Sequence, residues 1–91
     1  EPAIILFVGE GCPHCAKVEE FIQTNNIASK VQFRMLEVYN NQDNAKLLVS
    51  KAEICKIDTK SIGVPFLWDG SNCIVGEIDV TEFFKAKAGI N

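Results

Sequence analysis

The amino-acid sequence predicts an α/β fold with a four-stranded mixed sheet and three helices. Short apolar runs alternate with segments whose apolar residues recur every three or four positions, in the order β-α-β-α-β-β-α. The first strand-helix-strand unit is typical of a right-handed crossover between parallel strands, and the later pair of strands is typical of an antiparallel hairpin. Ninety-one residues are too few for two independent cores, so we expect a single domain over residues 1–91.

The first half of the chain is predicted to contain two strands and two helices. Residues 3–8 are short, β-branched and bounded by glycine, which predicts a buried strand. A helix is predicted over Pro13–Thr24, because its apolar residues lie on one face. Residues 31–39 predict a strand whose apolar positions change face near Met35, through a bulge or through burial on both faces. Residues 41–55 predict a second helix with a polar start.

The second half predicts a hairpin and a closing helix. Residues 65–68 and 73–75 have strand composition, and the Asp-Gly-Ser-Asn sequence at 69–72 is a hairpin signal. The last helix is predicted to begin at Asp79, because Glu82 lies three residues later as in a capping box. It is predicted to end near Gly89.

The most informative motif is Cys12-Pro13-His14-Cys15, which lies between the first strand and the first helix. Proline is suited to the first turn of a helix, and the free N–H groups there favour the thiolate of the first cysteine. We therefore expect Cys12 to be the nucleophile in thiol–disulfide exchange and the more buried Cys15 to resolve the mixed disulfide. The alternative is an inert structural disulfide, although so short a loop removes little chain entropy.

The element order, this motif and the Gly63-Val64-Pro65 sequence before the third strand together resemble the glutaredoxins of the thioredoxin superfamily. The resemblance covers nearly the whole chain. It implies a cis Pro65 beside the active-site cysteines, and a Val64 whose backbone N–H and C=O bind a thiol substrate as an added strand does. It also implies a dithiol oxidoreductase acting on protein disulfides or glutathione mixed disulfides, with glutathione as a co-substrate and no bound cofactor.

A second part of the resemblance lies after the fourth strand, where glutaredoxins hold the γ-glutamyl group of glutathione. Gly76 and Asp79 fit that pattern, whereas Val75 replaces the first of two glycines. The residues implied in substrate binding are Lys17, Val64, Gly76, Glu77, Ile78 and Asp79. Free N–H groups at a helix start can bind a carboxylate. Two simpler interpretations stay open, since Asp79 can be only an N-cap and Lys17 only a solvated surface lysine.

Two positions depart from the glutaredoxin pattern. Glutaredoxins usually have a lysine shortly before the first cysteine, whereas this chain has Glu10, whose charge would repel an anionic tripeptide. His14 stands where tyrosine is common, and Cys-Pro-His-Cys is the motif of periplasmic disulfide-forming oxidases of the same superfamily. A histidine between the thiols can stabilise the thiolate, which makes the disulfide more oxidising.

The other two cysteines have two interpretations. Cys55 and Cys73 are each suited to a small buried apolar side chain, or they form a second disulfide, which would favour an oxidising compartment. They do not make a second close pair, so a four-thiolate zinc site is not favoured and no metal ligand is assigned. The alternative function is a non-catalytic module in which the motif thiols bind a soft metal ion or, with glutathione, an iron–sulfur cluster.

Charge and hydropathy restrict the partners. The net charge is −3 and no basic run is present, so a nucleic acid is not an expected partner. No apolar run is long enough for a membrane span. We expect a monomer with a cytoplasmic location favoured, and an exported or membrane-tethered domain as the alternatives. Because the chain begins at Glu1 without methionine, we expect a processed product or an excised domain.

Overall fold

A computed structural model describes residues 2–90 and has, over that range, the predicted α/β class with three helices and a four-stranded mixed sheet. The strands are β1 (Ile5–Val8), β2 (Arg34–Glu37), β3 (Phe66–Trp68) and β4 (Cys73–Val75), and the helices are α1 (Pro13–Thr24), α2 (Gln42–Ile54) and α3 (Glu77–Ala88). The sheet order is β2-β1-β3-β4, in which only the β1–β2 pair is parallel. A short 3-10 helix at Ile27–Ser29, which the sequence analysis did not predict, follows α1.

Strand β1 is buried on both faces, which explains its continuous apolar run. Leu6 faces the side covered by α1 and α3, where Val18 and Phe84 belong to the same apolar cluster. Phe7 faces the opposite side, where it clusters with Leu48 of α2. Full burial of one such side chain contributes about 1.5–3 kcal/mol. Because all four residues of β1 are buried, the strand lies at the centre of the fold. Its carboxyl end leads directly into the Cys12 motif.

Strand β2 is shorter than predicted and is regular. It pairs residue by residue with all of β1, from Ile5 with Arg34 to Val8 with Glu37, so no bulge interrupts this pairing. Phe33 packs on the α1 and α3 side, whereas Leu36 packs on the α2 side. No residue of β2 is fully buried and Met35 is 43% exposed, so burial of the strand on both faces, the other predicted alternative, is also wrong. The strand is short because β1 offers only four residues to pair with.

Helix α3 begins two residues earlier than predicted, and the predicted N-cap role of Asp79 is wrong. The N-cap residue is Gly76, with φ of 100° and no side-chain cap, and the Val80 N–H makes the first helical bond to its carbonyl oxygen. The Gly76 N–H donates to the Pro65 carbonyl oxygen, so the end of the sheet fixes the start of the helix. Glu82 pairs with Lys85 at 3.3 Å instead of forming a capping box.

The other predicted helix ends are close to those observed. Asn41 is the N-cap of α2, and its side chain accepts the Asn44 N–H at 3.0 Å. Gly89 is the C-cap of α3 in the left-handed conformation that glycine adopts without strain. None of the helices within residues 2–90 has the length and apolar character that crossing a membrane requires.

Cys55 and Cys73 form a disulfide, which is one of the two alternatives that the sequence left open. It joins the C-cap of α2 to the first residue of β4, with the two Cα atoms 6.3 Å apart. Both residues also pack against the apolar cluster on the α2 side of the sheet. The disulfide therefore connects the α2 layer to an edge strand.

Candidate active site

The site is built where β1 ends and α1 begins. The chain turns through Gly9-Glu10-Gly11, where Gly11 has φ of 81° and the Cys12 N–H donates to the Gly9 carbonyl oxygen at 3.1 Å. Cys12 is the N-cap residue of α1, and Pro13 occupies the first helical position as predicted. The turn thus holds the half-buried Cys12 at the open end of a helix.

The Cys12 sulfur has two backbone partners. It accepts the Cys15 N–H at 3.1 Å, and its S–H group points to the Val64 carbonyl oxygen at 3.8 Å. The Val64–Pro65 peptide bond is cis, as the resemblance implies, and Pro65 is buried next to it. Within residues 2–90 the Val64 N–H has no hydrogen-bond partner. The Val64 carbonyl oxygen therefore lies beside the Cys12 thiol, and the N–H of the same residue is unpaired over residues 2–90.

Cys15 is one turn inside the helix and is fully buried. Burial, followed by the hydrogen bond with the Cys12 side chain, raises the pKa of the Cys15 thiol from its ordinary value of 9.0 to about 12. The Gly9 N–H, which donates to the Cys15 sulfur at 3.5 Å, opposes this rise in pKa. Both motif cysteines are free thiols, one at the surface and one protonated behind it.

His14 points away from the sulfurs and connects two helices. Its Nδ1 atom lies 2.8 Å from a carboxylate oxygen of Glu77 in the first turn of α3, and its side chain is 73% exposed. No hydrogen bond joins His14 to either sulfur in the described part of the chain. The predicted stabilisation of a thiolate by His14 thus has no direct contact to support it, and the histidine contributes an α1–α3 link instead.

The predicted substrate-binding residues are only partly brought to the motif. The Glu77 carboxylate contacts the motif at His14, and the Val64 carbonyl oxygen contacts it at Cys12. The first turn of α3 has no side-chain cap, so the N–H groups of residues 77–79 are available to a ligand. Exposed Asp79 and Lys17 have no ion-pair partner within 4.0 Å over residues 2–90, and no contact joins either one to the cysteines.

Sequence reasoning missed Glu37, which holds the turn before Cys12 in place. Its carboxylate accepts three backbone N–H groups, from Glu10 and Tyr39 at 2.9 Å each and from Asn40 at 2.8 Å. These donors, first of all the Glu10 N–H, lower the pKa of the Glu37 carboxyl. The signal available in the sequence was a carboxylate at the carboxyl end of a parallel strand next to β1, since Glu37 pairs with Val8.

Tyr39 forms the outer wall of the same turn. A Cβ atom placed on Gly9 would overlap the Tyr39 ring, so the ring lies directly on the Gly9 backbone. The ring is nevertheless 60% exposed. Glycine at position 9 allows this close approach, and an aromatic face is left open to solvent beside the turn that precedes Cys12.

Comparisons with protein-family models, curated protein sequences and solved structures give no match to this chain. Function is therefore inferred from the geometry of the site. In the described residues, no group of three or more His, Cys, Asp or Glu side chains is placed to hold a metal ion. The predicted metal-handling alternative accordingly gains no additional ligand from the fold.

Proposed function

We propose that the protein is a glutaredoxin-like, thioredoxin-fold oxidoreductase that exchanges disulfides through Cys12 and Cys15. The observation that carries this proposal is the unequal placement of the two thiols. Cys12 lies half-buried at the helix start, with its sulfur accepting a backbone N–H, while Cys15 lies fully buried behind it. One thiol is thus accessible to a substrate disulfide, and the other is withheld until the first has reacted.

In the first step, the Cys12 thiolate attacks one sulfur of a substrate disulfide. A Cys12–substrate disulfide forms, the substrate S–S bond breaks, and the second substrate sulfur leaves as a thiolate. The Cys15 N–H, 3.1 Å from the Cys12 sulfur, favours the charged nucleophile before the attack. Reverse attack on Cys12 by the leaving thiolate is possible, so the step is an exchange.

In the second step, Cys15 attacks the Cys12 sulfur of the mixed disulfide. A Cys12–Cys15 disulfide forms, and the substrate leaves as a thiolate that takes up the proton lost by Cys15. Part of the raised Cys15 pKa comes from Cys12, through its side-chain hydrogen bond and its charge. Formation of the mixed disulfide removes both of these effects, so Cys15 becomes easier to ionise when its attack is needed.

Val64 supports a binding mode for the substrate. Its C=O lies beside the Cys12 sulfur and its N–H has no partner within the described residues. An extended polypeptide segment can pair with one such N–H and C=O as an added strand does. This pairing would hold a substrate sulfur next to Cys12 without using any particular side chain of the substrate.

The completed exchange passes two electrons from the dithiol to the substrate. A further thiol compound, glutathione or the dithiol of another protein, must then reduce the Cys12–Cys15 disulfide. The protein in its disulfide form can equally oxidise a substrate dithiol. The additional Cys55–Cys73 disulfide supports an oxidising compartment as the place where this exchange occurs.

The test is to trap the mixed disulfide. The Cys15→Ser variant, incubated with a short peptide that contains one disulfide, should accumulate a covalent peptide adduct on Cys12, detected by intact mass and peptide mapping. The matched Cys12→Ser variant should form none, because Cys15 is buried and protonated. Absence of an adduct on both variants would contradict the proposed function, and an adduct on Cys12→Ser alone would reverse the two roles.

A further inference from the structure

We propose that the dithiol site selects a polypeptide disulfide with basic and apolar neighbours over the anionic tripeptide glutathione, and that Glu10 and Glu77 set this preference. This inference rests on the dithiol function proposed above and assigns its substrate class. The carboxylates do not form a binding site by themselves. Glu10 lies two residues before Cys12, and Glu77 is bonded to His14 of the motif, so both place negative charge in the surroundings of the proposed nucleophile.

Glu10 lies two residues before Cys12, in the turn that follows β1. It is exposed, and its carboxylate is held by the Asn40 side chain, whose Nδ2 donates to Oε1 at 3.1 Å. Asn40 and the Glu10 backbone are in turn fixed by Glu37. The only partner of this carboxylate is thus a neutral amide over residues 2–90, so its negative charge remains uncompensated two residues before the nucleophile.

Glu77 lies in the first turn of α3. Its carboxylate is fixed by His14, the residue between Pro13 and Cys15. Asp79 belongs to the same helical turn and has no ion-pair partner in the part of the chain that the structure describes. Two carboxylates therefore already lie at the helix start whose N–H groups could otherwise bind a carboxylate of glutathione, and like charges repel.

Around the motif in the sequence, carboxylates outnumber lysine and arginine. Within the first two turns of α1 the only lysine or arginine is Lys17, whereas Glu19 and Glu20 follow it. The Glu19 charge acts on Cys15, whose pKa it helps to raise. An incoming substrate consequently meets a negative potential around Cys12, which attracts lysine and arginine side chains and repels an anionic tripeptide.

Three exposed apolar side chains lie on segments that adjoin the motif or Val64. Tyr39, 60% exposed, lies on Gly9, and Ile78, 76% exposed, follows Glu77. Val75, 40% exposed, is the residue nearest to a Cβ atom placed on Gly63, next to the backbone groups of Val64. A peptide paired with Val64 can cover these side chains with its own apolar residues.

The experiment compares two synthetic peptides, each with one intramolecular disulfide and identical except that lysines or glutamates flank the cysteines. Rates of reduction by the reduced protein are measured at about 0.01 M and about 1 M salt, where the Debye length is about 30 Å and about 3 Å. At low salt we expect the lysine peptide to react about tenfold faster, and at high salt we expect the two rates to converge. Oxidised glutathione should behave as the glutamate peptide does.

The variant Glu10→Gln/Glu77→Gln should lose most of the preference, measured as the ratio of the two peptide rates at low salt. The matched control is Glu53→Gln, which removes one charge from the last turn of α2, at the Cys55 end of the fold. It should keep the preference seen in the wild-type protein. Thermal unfolding of each variant verifies that it is folded.

The outcomes separate this inference from the proposed function. Equal rates for the two peptides at low salt, or a faster glutamate peptide, would overturn the charge preference and leave the dithiol function intact. Retention of the full preference in Glu10→Gln/Glu77→Gln would overturn the assignment to these two residues. Absence of Cys12-dependent reduction of either peptide would instead count against the proposed function.

Discussion

Alkylation of the reduced protein should label Cys12 and leave Cys15 unmodified while the protein is folded. Iodoacetamide reacts with thiolates, and the pKa of Cys15 is raised from 9.0 to about 12, a difference of about three pH units. At about pH 7.5 the thiolate fraction of Cys15 is therefore about a thousandfold smaller than that of an unperturbed thiol. Because Cys15 is also fully buried, its labelling rate should fall by at least this factor.

The assay is timed labelling followed by fragmentation mass spectrometry, which distinguishes Cys12 from Cys15 within one peptide. The Cys12→Ser variant is the control, because burial keeps Cys15 slow to react even without its sulfur neighbour. Labelling in denaturant should make both cysteines react at similar rates. Equal labelling of the two cysteines in the folded protein, or faster labelling of Cys15, would refute the assignment of an outer nucleophile and a protected inner thiol.

Three further predictions concern the support of the site. The Glu37→Gln variant should be less stable than the wild-type protein near neutral pH, because the lowered pKa of Glu37 means that its carboxylate stabilises the fold above its ordinary pKa of 4.5. That difference should disappear as the pH falls through the lowered value, and urea unfolding near neutral and acidic pH measures it; a constant difference would contradict the carboxylate's role. Replacing Cys55 and Cys73 by alanine opens a loop with a sequence separation of 18, which should cost about 3 kcal/mol of unfolding free energy. Thermal unfolding measures that loss, and an unchanged midpoint would show that the disulfide does not constrain the unfolded chain. Gly9→Ala should destabilise the protein by about 1 kcal/mol, because the added methyl group overlaps the exposed Tyr39 ring. In a Tyr39→Ala background the same substitution should cost much less, which a double-mutant cycle measures. Equal costs in both backgrounds would argue against that contact.

Some elements could be predicted from the residues of their own segment, because their bounds do not depend on the rest of the chain. The apolar run of β1 and the proline at the start of α1 predicted those elements closely. The ends of β2 and α3 could not be predicted in this way. The extent of β2 depends on the four residues that β1 offers, and α3 starts at Glu77 because the Gly76 N–H is bonded to Pro65.

The same distinction applies to the site. The spacing of the motif alone predicted Cys12 and Cys15 as site residues. The resemblance implied that Val64 and a cis Pro65 lie beside them, and the structure has this arrangement. Glu37 could not be predicted, because only the parallel register of two strands that are distant in the sequence brings it to the turn. Its importance is a property of the assembled sheet.

The location of the Cys55–Cys73 disulfide keeps it out of reach of the Cys12 thiol. Cys73 is in register with Trp68, and Trp68 with Ile5 at the start of β1, whereas Cys12 follows the far end of that strand. The strand alone separates the two sulfur centres by about 10 Å, much more than the reach of a side chain. Disulfide exchange between the proposed reactive pair and this crosslink within one molecule is therefore prevented by distance.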